Sequence, residues 1–301
     1  MVRILTHVWH FAHQYELCKL VRLGYKISML TSKKRWNSRI RPFPKGVRPL
    51  ATVNINQYDI LILCGDHFVL FPHVTEFIHI KKPKIFLMHG CTEDKRQIEK
   101  IKRIVRDNVM VVNSKFAEDI FKSSGINAKF ILHGMEIAEW PLTNYQKNIP
   151  VNCSPTVAQG CSHHERYYGC DIYREVKKHI QIDGIFNSNS FGDYRRKLRQ
   201  YSIYFNPTRY APNPRGRAEA MFCGLVPVST CFHNEAEYIE NGVSGFLSNN
   251  PKELVDYIIY LQRNPETVKI MGQKARETAR NYFSIDRYLE TWDKLIKEVV
   301  S

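Results

Sequence analysis

Short apolar runs alternate with amphipathic segments along the first half of the chain. HQYELCKLVRLG and AEDIFKSSG have the spacing of amphipathic helices, and Gly24 ends the first of them. Apolar runs bounded by turn residues are typical of strands that are buried on both faces. Such strands are predicted in MVRILTH, YKISMLTS, YDILILCG, KIFLMHG, MVVNS and AKFILHG. Strands that alternate with helices predict parallel βαβ units and a doubly wound sheet.

A second set of elements follows the polar stretch TNYQKNIPVNCSP, which we interpret as a linker. Strands are predicted in PTVAQG, IDGIFNS, SIYFNPT, LVPVST and GVSGFLS. Helices are predicted in DIYREVKKHI, FGDYRRKLRQY, RAEAMFCG, PKELVDYIIYLQRN, PETVKIMGQKARETARNYF and the terminal IDRYLETWDKLIKEVV. Because ligands bind outside the carboxyl ends of the strands in open α/β sheets, a cleft between two such domains is the expected site.

Length and composition agree with this organisation. The chain has 301 residues, of which 44% are hydrophobic, enough for two α/β domains of about 150 residues each. No apolar run reaches the length of a membrane span, and MVRILTHVWH lacks the pattern of a secretory signal. The 8 cysteines form no disulfide framework and predict reduced thiols. We therefore expect a cytoplasmic protein, with peripheral membrane attachment as a possibility.

Positive charge is concentrated near the N-terminus. The formal net charge is +15, and residues 1–50 hold eleven Lys or Arg but only one acidic residue, Glu16. This segment is either a well-solvated face or a surface for a polyanion such as nucleic acid or an anionic membrane. TSKKRWNSRIRPFP interleaves cations with Trp36 and Phe43, which suits stacking on a base or insertion at a lipid interface.

One stretch carries a specific resemblance. NPTRYAPNPRGRAEAMFCGLVPVSTCFHNEAEYIENGVSGFL, together with NPETVKIMGQKARETARNYFSIDRYLETW near the end, resembles the retaining glycosyltransferases of the GT-B fold that carry an E-x7-E signature. The resemblance implies an α/β protein of two Rossmann-like doubly wound parallel-sheet domains facing a cleft. We expect an acceptor-side domain over 1–143, a nucleotide-sugar domain over 144–284, and a C-terminal helix, 285–301, that packs back on the first domain.

The donor in this family is a nucleoside-diphosphate sugar, whose leaving phosphates need positive potential. The entry to the helix RAEAMFCG is expected to supply it, because Arg215 and Gly216 stand where N–H groups are free and the dipole is positive. Either Arg215 or Arg217 is expected to add a bidentate phosphate contact. The resemblance implies that Glu219 binds the ribose hydroxyls and that Arg166 clamps a phosphate and takes part in catalysis. The complete set of expected donor-binding residues is Gly160, Arg166, Thr208, Asn213, Arg215, Gly216 and Glu219.

The sequence also departs from the family pattern. Ala211 stands where the first glutamate of E-x7-E is expected, and Cys161 replaces an arginine of the phosphate loop. Pro214 lacks the N–H that would hold a sugar hydroxyl. No D-x-D occurs, so we expect transfer without a metal or other cofactor. The Cys and His residues between Cys153 and Cys170 match no common zinc spacing.

The resemblance implies that His89, at the end of KIFLMHG, lies beside the donor sugar and takes part in catalysis; a purely structural histidine is the alternative. HVWHFAHQ replaces the family's glycine-rich loop after the first strand, so His10 and His13 are expected where the acceptor enters. Retaining transfer needs positioning more than a protein base, because the leaving phosphate can itself accept the proton. The expected acceptor-side residues are Trp9, His10, His13, Lys33, Lys34, Arg35 and Trp36.

The sequence thus predicts a retaining glycosyltransferase that moves a hexose or pentose to a hydroxyl acceptor. A hydroxymethylated base in DNA, as in viral DNA modification, and a membrane glycolipid or surface polysaccharide are the two acceptor hypotheses. The unbroken positive charge favours DNA. A non-catalytic protein that binds a nucleotide or nucleic acid is the alternative of another class, supported by Ala211. The sequence indicates no obligate protein partner and leaves the nucleobase, the sugar and the oligomeric state open.

Overall fold

The structure is a computed structural model of the chain. It describes residues 1–32, 34–66, 70, 75–145, 149–158, 165–210, 213–234 and 236–301, with the backbone alone at positions 166 and 234. The chain divides into two compact units, one of residues 1–135 and 285–301 and one of residues 136–284. Each unit has a parallel sheet of its own, as the alternation of strands and helices predicted.

The first unit is built on a 7-stranded parallel sheet with the order β3-β2-β1-β4-β5-β6-β7. Its strands are β1 (Arg3–His7), β2 (Lys26–Leu30), β3 (Arg48–Leu50), β4 (Ile60–Gly65), β5 (Lys84–Met88), β6 (Val109–Val112) and β7 (Ala128–Phe130). Its first helices are α1 (Phe11–Leu17), α2 (Thr75–Ile78), α3 (Lys95–Val105) and α4 (Lys115–Ser123). Every residue of β4 is buried, because helices cover both faces of the sheet.

Local signals explain where these elements begin and end. A 3-10 helix, Cys18–Leu23, continues α1 and ends at Gly24, whose φ of 87° is left-handed. The Asp94 side chain caps α3 by accepting hydrogen bonds from the N–H groups of Arg96 and Gln97. Helix α3 is absent from the elements predicted above, although its Ile98, Ile101 and Val105 recur at helical spacing on the buried face.

The second unit is built on a 5-stranded parallel sheet with the order β12-β11-β10-β8-β9. Its strands are β8 (Val151–Cys153), β9 (Ile182–Gly184), β10 (Ile203–Asn206), β11 (Val226–Ser229) and β12 (Phe246–Leu247). Its helices are α5 (Pro155–Ala158), α6 (Glu165–Tyr168), α7 (Cys170–Lys177), α8 (Phe191–Leu198), α9 (Arg215–Phe222), α10 (Pro251–Arg263) and α11 (Pro265–Tyr282). The last helix of the chain, α12 (Ile285–Val300), belongs to the first unit, where Tyr288 and Trp292 enter the core.

One predicted strand is wrong. PTVAQG does not begin the second sheet; its first residues form the short helix α5, in which the N–H of Val157 and of Ala158 bonds to the Ser154 carbonyl. The first strand is instead Val151–Cys153, inside the stretch interpreted as a linker. Three residues between Pro150 and Ser154 are too few for an alternating pattern to stand out, and only pairing with β9 and β10 reveals the strand.

The division between the units lies earlier than the sequence analysis placed it. Residues 136–143 cluster with the second unit. Trp140 is fully buried there, and its ring lies edge-on to Phe191 at 5.5 Å and to Tyr194 at 6.4 Å. Burial of so large an aromatic side chain outweighs the sequence signal of a domain boundary at 143. Among the described residues, no helix combines the length and apolar character that crossing a membrane requires.

Candidate active site

A pocket opens in the second unit at the carboxyl ends of β8 and β10, beside the start of α9. Its volume is about 170 Å³. This is the edge at which parallel α/β sheets bind ligands, because strand ends and helix starts meet there. The described residues that line the pocket are Asn152, Cys153, Ser154, Pro155, Tyr168, Ile185, Tyr194, Tyr204, Asn206, Thr208, Pro214, Arg215 and Gly216.

The start of α9 gives this pocket positive potential. Pro214 occupies the N-cap position, and no side chain caps the helix there. The first N–H groups of a helix have no acceptor within the helix, and the macrodipole places partial positive charge on them. Asn213, just before the helix, has a left-handed φ of 45° and is buried. The arrangement suits an anion such as a phosphate group.

Gly216 has a packing role that the sequence did not reveal. A Cβ at position 216 would lie 2.5 Å from the Tyr204 hydroxyl oxygen. Glycine is therefore needed for the close contact with Tyr204, in addition to any approach of a ligand. Burial raises the pKa of Tyr204 well above its usual range, so its phenol stays protonated.

Arg215 and Glu219 form a buried ion pair on α9. Arg215 Nε donates to Glu219 Oε1 at 2.9 Å, and the two side chains are 9% and 6% exposed. The other carboxylate oxygen, Oε2, accepts a hydrogen bond from the Tyr194 hydroxyl at 2.9 Å. Arg215 and Tyr194 line the pocket, whereas Glu219 is not among its described lining residues. Tyr194 is not among the site residues expected from the sequence.

Arg217 is an internal residue, unlike Arg215. It is 1% exposed, and its guanidinium donates to the Tyr238 hydroxyl and to Ser229 Oγ, both at 2.9 Å. It also lies over the Tyr238 ring at 5.2 Å. Of Arg215 and Arg217, the structure therefore places only Arg215 at the pocket.

A buried polar network forms the base of the pocket near Thr208. Asn206 Nδ2 donates to Thr208 Oγ1 at 2.9 Å and to Ser229 Oγ at 3.0 Å. Thr230 Oγ1 donates to the backbone carbonyl of Thr208. These bonds hold Thr208, an expected donor-binding residue, at the wall of the pocket.

Part of the expected phosphate loop lies outside the described residues. Gly160 and the side chain of Arg166 belong to that part, and Ala211, at the position of the first motif glutamate, also lies outside the described residues. The described chain resumes at Glu165. At the end of the loop, Gly169 has a left-handed φ of 64°, and a Cβ there would lie 1.8 Å from the Pro207 carbonyl oxygen. Cys170 is disulfide-bonded, so the expectation of reduced thiols throughout is wrong at this position.

The first unit holds a separate cluster of histidines at the carboxyl ends of its strands. The ring of His89, after β5, lies 4.4 Å from His13 and 4.6 Å from His10, measured between centroids. His133, after β7, lies 5.5 Å from His13. His10 Nε2 lies 3.7 Å from Asp66 Oδ2, after β4.

The structure thus brings together the histidines that were expected near the acceptor and adds His133. The sequence signal for His133 was only its place in HGME, where the family has an asparagine. Strand ends that are distant in sequence meet at one edge of a parallel sheet, which explains the convergence. In the described part of the chain, no group of three or more His, Cys, Asp or Glu is arranged to hold a metal ion.

The aromatic residues of the basic segment are partly buried against the first unit. Trp36 packs between Phe11 at 5.3 Å and Phe43 at 5.7 Å, and its indole N–H donates to the Arg41 carbonyl at 2.7 Å. Trp36 and Phe43 pack against the core of the first unit. Both side chains keep part of their surface exposed, and the expectation that they stack on a base or insert into lipid stays a prediction.

The basic residues of the segment divide into buried and exposed groups. Lys34 Nζ lies 4.5 Å from the centre of the Trp9 ring and donates to the Trp9 carbonyl at 3.1 Å. Burial lowers the pKa of Lys34. Lys33 lies outside the described residues, whereas Arg35 is exposed. The exposed cations of the segment are Arg3, Arg22, Lys26, Arg35, Arg39, Lys45 and Arg48.

The segment that contains part of the pocket matches a known protein family. Residues 175–278, which include α9, match the family model described as glycosyl transferases group 1. Trehalose synthase of Pyrococcus horikoshii is 34% identical over 74 residues, a match that covers 25% of this chain and 18% of that relative. This chain therefore matches less than a fifth of that relative's length.

Solved structures resemble the fold over nearly the whole chain. HepE of Anabaena, in complex with UDP-glucose, has a TM-score of 0.71 at 13% identity, covering 99% of this chain and 100% of HepE. A glycosyltransferase of Rickettsia africae has a TM-score of 0.71 at 15% identity, covering 100% of this chain and 99% of the other. At such identities the likeness concerns the fold. The resemblance to group 1 glycosyltransferases of the GT-B fold is confirmed, in a divergent form.

Proposed function

We propose that this chain, a GT-B fold protein with a group 1 glycosyltransferase segment, is a retaining glycosyltransferase that uses a nucleoside-diphosphate sugar. The single observation that carries the proposal is the pocket of the second unit. There, Arg215 and the start of α9 stand within the matched segment and beside the ends of two parallel strands. Positive potential at that position stabilises the charge that develops on a leaving diphosphate.

The chemistry needs little from a protein base. The anomeric C–O bond breaks, the diphosphate leaves with the electron pair, and the acceptor hydroxyl attacks from the same face. The proton of that hydroxyl passes to a phosphate oxygen of the leaving group. Catalysis then depends on holding donor and acceptor in position, so we propose transfer without a metal or other cofactor. His89, within the histidine cluster of the first unit, is the proposed residue beside the transferred sugar.

A panel of radiolabelled sugar nucleotides tests the donor proposal. UDP-glucose is the first member, because HepE was solved with it. The wild type is expected to hydrolyse or transfer the sugar of at least one donor, and Arg215→Ala is expected to lose most of that activity. Arg263→Ala, an exposed arginine on α10, is the matched control and should leave it unchanged. Proton NMR of the product then shows whether the anomeric configuration is retained.

We propose a polyanionic acceptor, with a hydroxymethylated base in DNA as the first candidate. The support is the exposed cationic group of residues 1–50, in a protein of net charge +15. We propose a cytoplasmic protein, since both partners would be met there.

A membrane glycolipid or surface polysaccharide is the second candidate. Ile40 is 42% exposed and lies next to the exposed Arg39, an amphiphilic combination that favours an anionic lipid surface. Mass spectrometry of hydroxymethylated duplex DNA and of lipid extracts, each incubated with the active donor, distinguishes the two acceptors. Binding to DNA should also weaken log-linearly with salt, whereas a lipid acceptor should require vesicles or detergent.

Binding of a nucleotide without sugar transfer is the outcome that would contradict the enzyme proposal. A wild type that binds UDP but neither hydrolyses nor transfers sugar from any donor would be a nucleotide-binding protein. A wild type that binds no nucleotide at all would also remove the proposed role of the pocket.

A further inference from the structure

Glu219 lies behind the pocket wall and is bonded to two residues that form that wall. Its Oε1 accepts from Arg215 Nε and its Oε2 accepts from the Tyr194 hydroxyl, each at 2.9 Å. We propose that Glu219 is a positioning residue, and that Arg215 and Tyr194, rather than the Glu219 carboxylate, contact the donor. The inference rests on the proposed function and assigns the contacts of that same pocket.

The ion pair fixes the orientation of the Arg215 guanidinium. Arg215 and Glu219 are four residues apart and therefore lie on the same face of α9. The guanidinium is planar, so one hydrogen bond through Nε sets the plane that carries both Nη groups. Arg215 is only 9% exposed and stands at the first position of α9. An arginine held in this way can offer two parallel N–H groups to a phosphate.

Tyr194 completes the wall from another helix. It lies on α8, its ring packs edge-on against the buried Trp140, and its hydroxyl donates to Glu219. A phenol that donates its proton keeps lone pairs on oxygen, and donation to a carboxylate makes that oxygen a stronger acceptor. Tyr194 therefore supplies an acceptor for a hydroxyl of the donor, and the ribose diol presents two such hydroxyls.

The same geometry argues against direct binding of the ribose by Glu219. The residue is 5% exposed, and each carboxylate oxygen already accepts a hydrogen bond from a side chain of the protein. A ribose that replaced these donors would release a buried arginine from its partner, which is costly. The contribution of Glu219 to donor binding therefore passes through Arg215 and Tyr194.

Calorimetric binding of UDP to the full chain tests the coupling to Arg215. The variants are Glu219→Gln, which has the same shape, Arg215→Ala, and the double variant. Glu219→Gln is expected to weaken UDP binding about tenfold, and to have a much smaller effect in the Arg215→Ala background, where only the part that passes through Tyr194 remains. Additive effects of the two substitutions would overturn the proposal. Tighter binding by Glu219→Gln would also overturn it, because the carboxylate would then only repel the phosphates.

Deoxynucleotides test the role of Tyr194. Tyr194→Phe keeps the ring against Trp140 and removes only the hydroxyl. We expect the wild type to prefer UDP over its 2′-deoxy or 3′-deoxy analogue, and Tyr194→Phe to lose that preference. A merely structural tyrosine would weaken all three ligands equally. Preference for UDP at the wild-type ratio in Tyr194→Phe would overturn the assignment of Tyr194.

These experiments distinguish a failure of this inference from a failure of the proposed function. If Glu219→Gln does not fold, Tyr194→Phe still tests the Tyr194–Glu219 bond, because the aromatic packing stays intact. A wild type that binds no nucleotide would contradict the proposed function. If the wild type binds UDP but the effects of Glu219→Gln and Arg215→Ala on binding are additive, only this inference is contradicted.

Discussion

Gly216 at the start of α9 lies directly against the hydroxyl group of Tyr204 on β10. A Cβ at position 216 would approach the phenol oxygen to 2.5 Å, and the ring carbon that carries it to 3.4 Å. Both residues line the proposed donor pocket. The contact therefore links the helix that would hold the phosphates to the strand beneath it.

Gly216→Ala is expected to destabilise the protein because the new methyl group collides with the Tyr204 hydroxyl. Overpacking of this kind costs about 1–3 kcal/mol. Tyr204→Phe removes the oxygen, so Gly216→Ala should cost much less in the Tyr204→Phe background. Urea unfolding of the two single variants and the double variant measures this rescue. Equal costs in both backgrounds would show that the hydroxyl is not the obstacle.

Gly169→Ala is expected to be among the most damaging single substitutions in the second unit. The residue is left-handed, with a φ of 64°, and a Cβ would lie 1.8 Å from the Pro207 carbonyl oxygen. A backbone oxygen cannot move aside as a side chain can, so a cost of about 4 kcal/mol or more is expected.

Gly242→Ala is the matched control for Gly169→Ala. Gly242 is also left-handed, with a φ of 80°, but a Cβ there would meet nothing within 4 Å. Gly242→Ala should therefore destabilise the protein by only about 1–2 kcal/mol, the cost of a left-handed backbone for an alanine. Thermal unfolding compares the stability of the two variants. Equal losses of stability would contradict the role of the Pro207 contact.

Acid is expected to weaken the first unit through Asp59. Arg3 at the start of β1 donates from its backbone N–H and its guanidinium to Asp59, which lowers the pKa of that carboxyl to about 2. A carboxyl with a lowered pKa stabilises the fold above its ordinary value near 4 and loses this contribution as the pH falls toward 2.

Asp59→Asn tests this expectation. Urea unfolding of the wild type between pH 5 and pH 2 should show a loss of stability that is smaller in Asp59→Asn. The effect will be modest, since the pair is partly exposed. An unchanged slope in the variant would mean that other carboxyl groups account for the acid sensitivity.

The cysteines are expected to differ in reactivity. Cys153 lines the pocket but is buried, and burial raises the pKa of its thiol to about 12. The thiolate is the reactive form, so Cys153 should resist alkylation near neutral pH. Cys231 is a free and partly exposed thiol. Mass spectrometry after iodoacetamide treatment should find Cys231 modified first; early modification of Cys153 would contradict its burial.

The sequence predicted most of the fold because strands and helices carry local signals. The apolar run Ile60–Gly65 and the Gly24 stop needed no tertiary information. The prediction failed at Val151–Cys153, where a three-residue strand has no periodicity of its own. It also omitted Lys95–Val105, whose helical spacing was present but not used.

The candidate site was predictable in part. RAEAMFCG indicated an anion site by its helix start, and the structure places Arg215 and Gly216 at the pocket. Arg217, two residues from Arg215, is buried among side chains of the second unit. A separation of two residues turns side chains to different sides of a helix, but only the neighbouring elements decide which side is the ligand side.

The sequence by itself determined most of the strands and helices, the excess of positive charge, and the presence of a helix just after Pro214. Those properties depend on neighbours along the chain. Only the tertiary structure decided that His133 joins His13 and His89, that Trp36 packs inward, and that Glu219 bonds to Tyr194. These contacts join residues that are not neighbours along the chain, and they form only when strands and helices pack together.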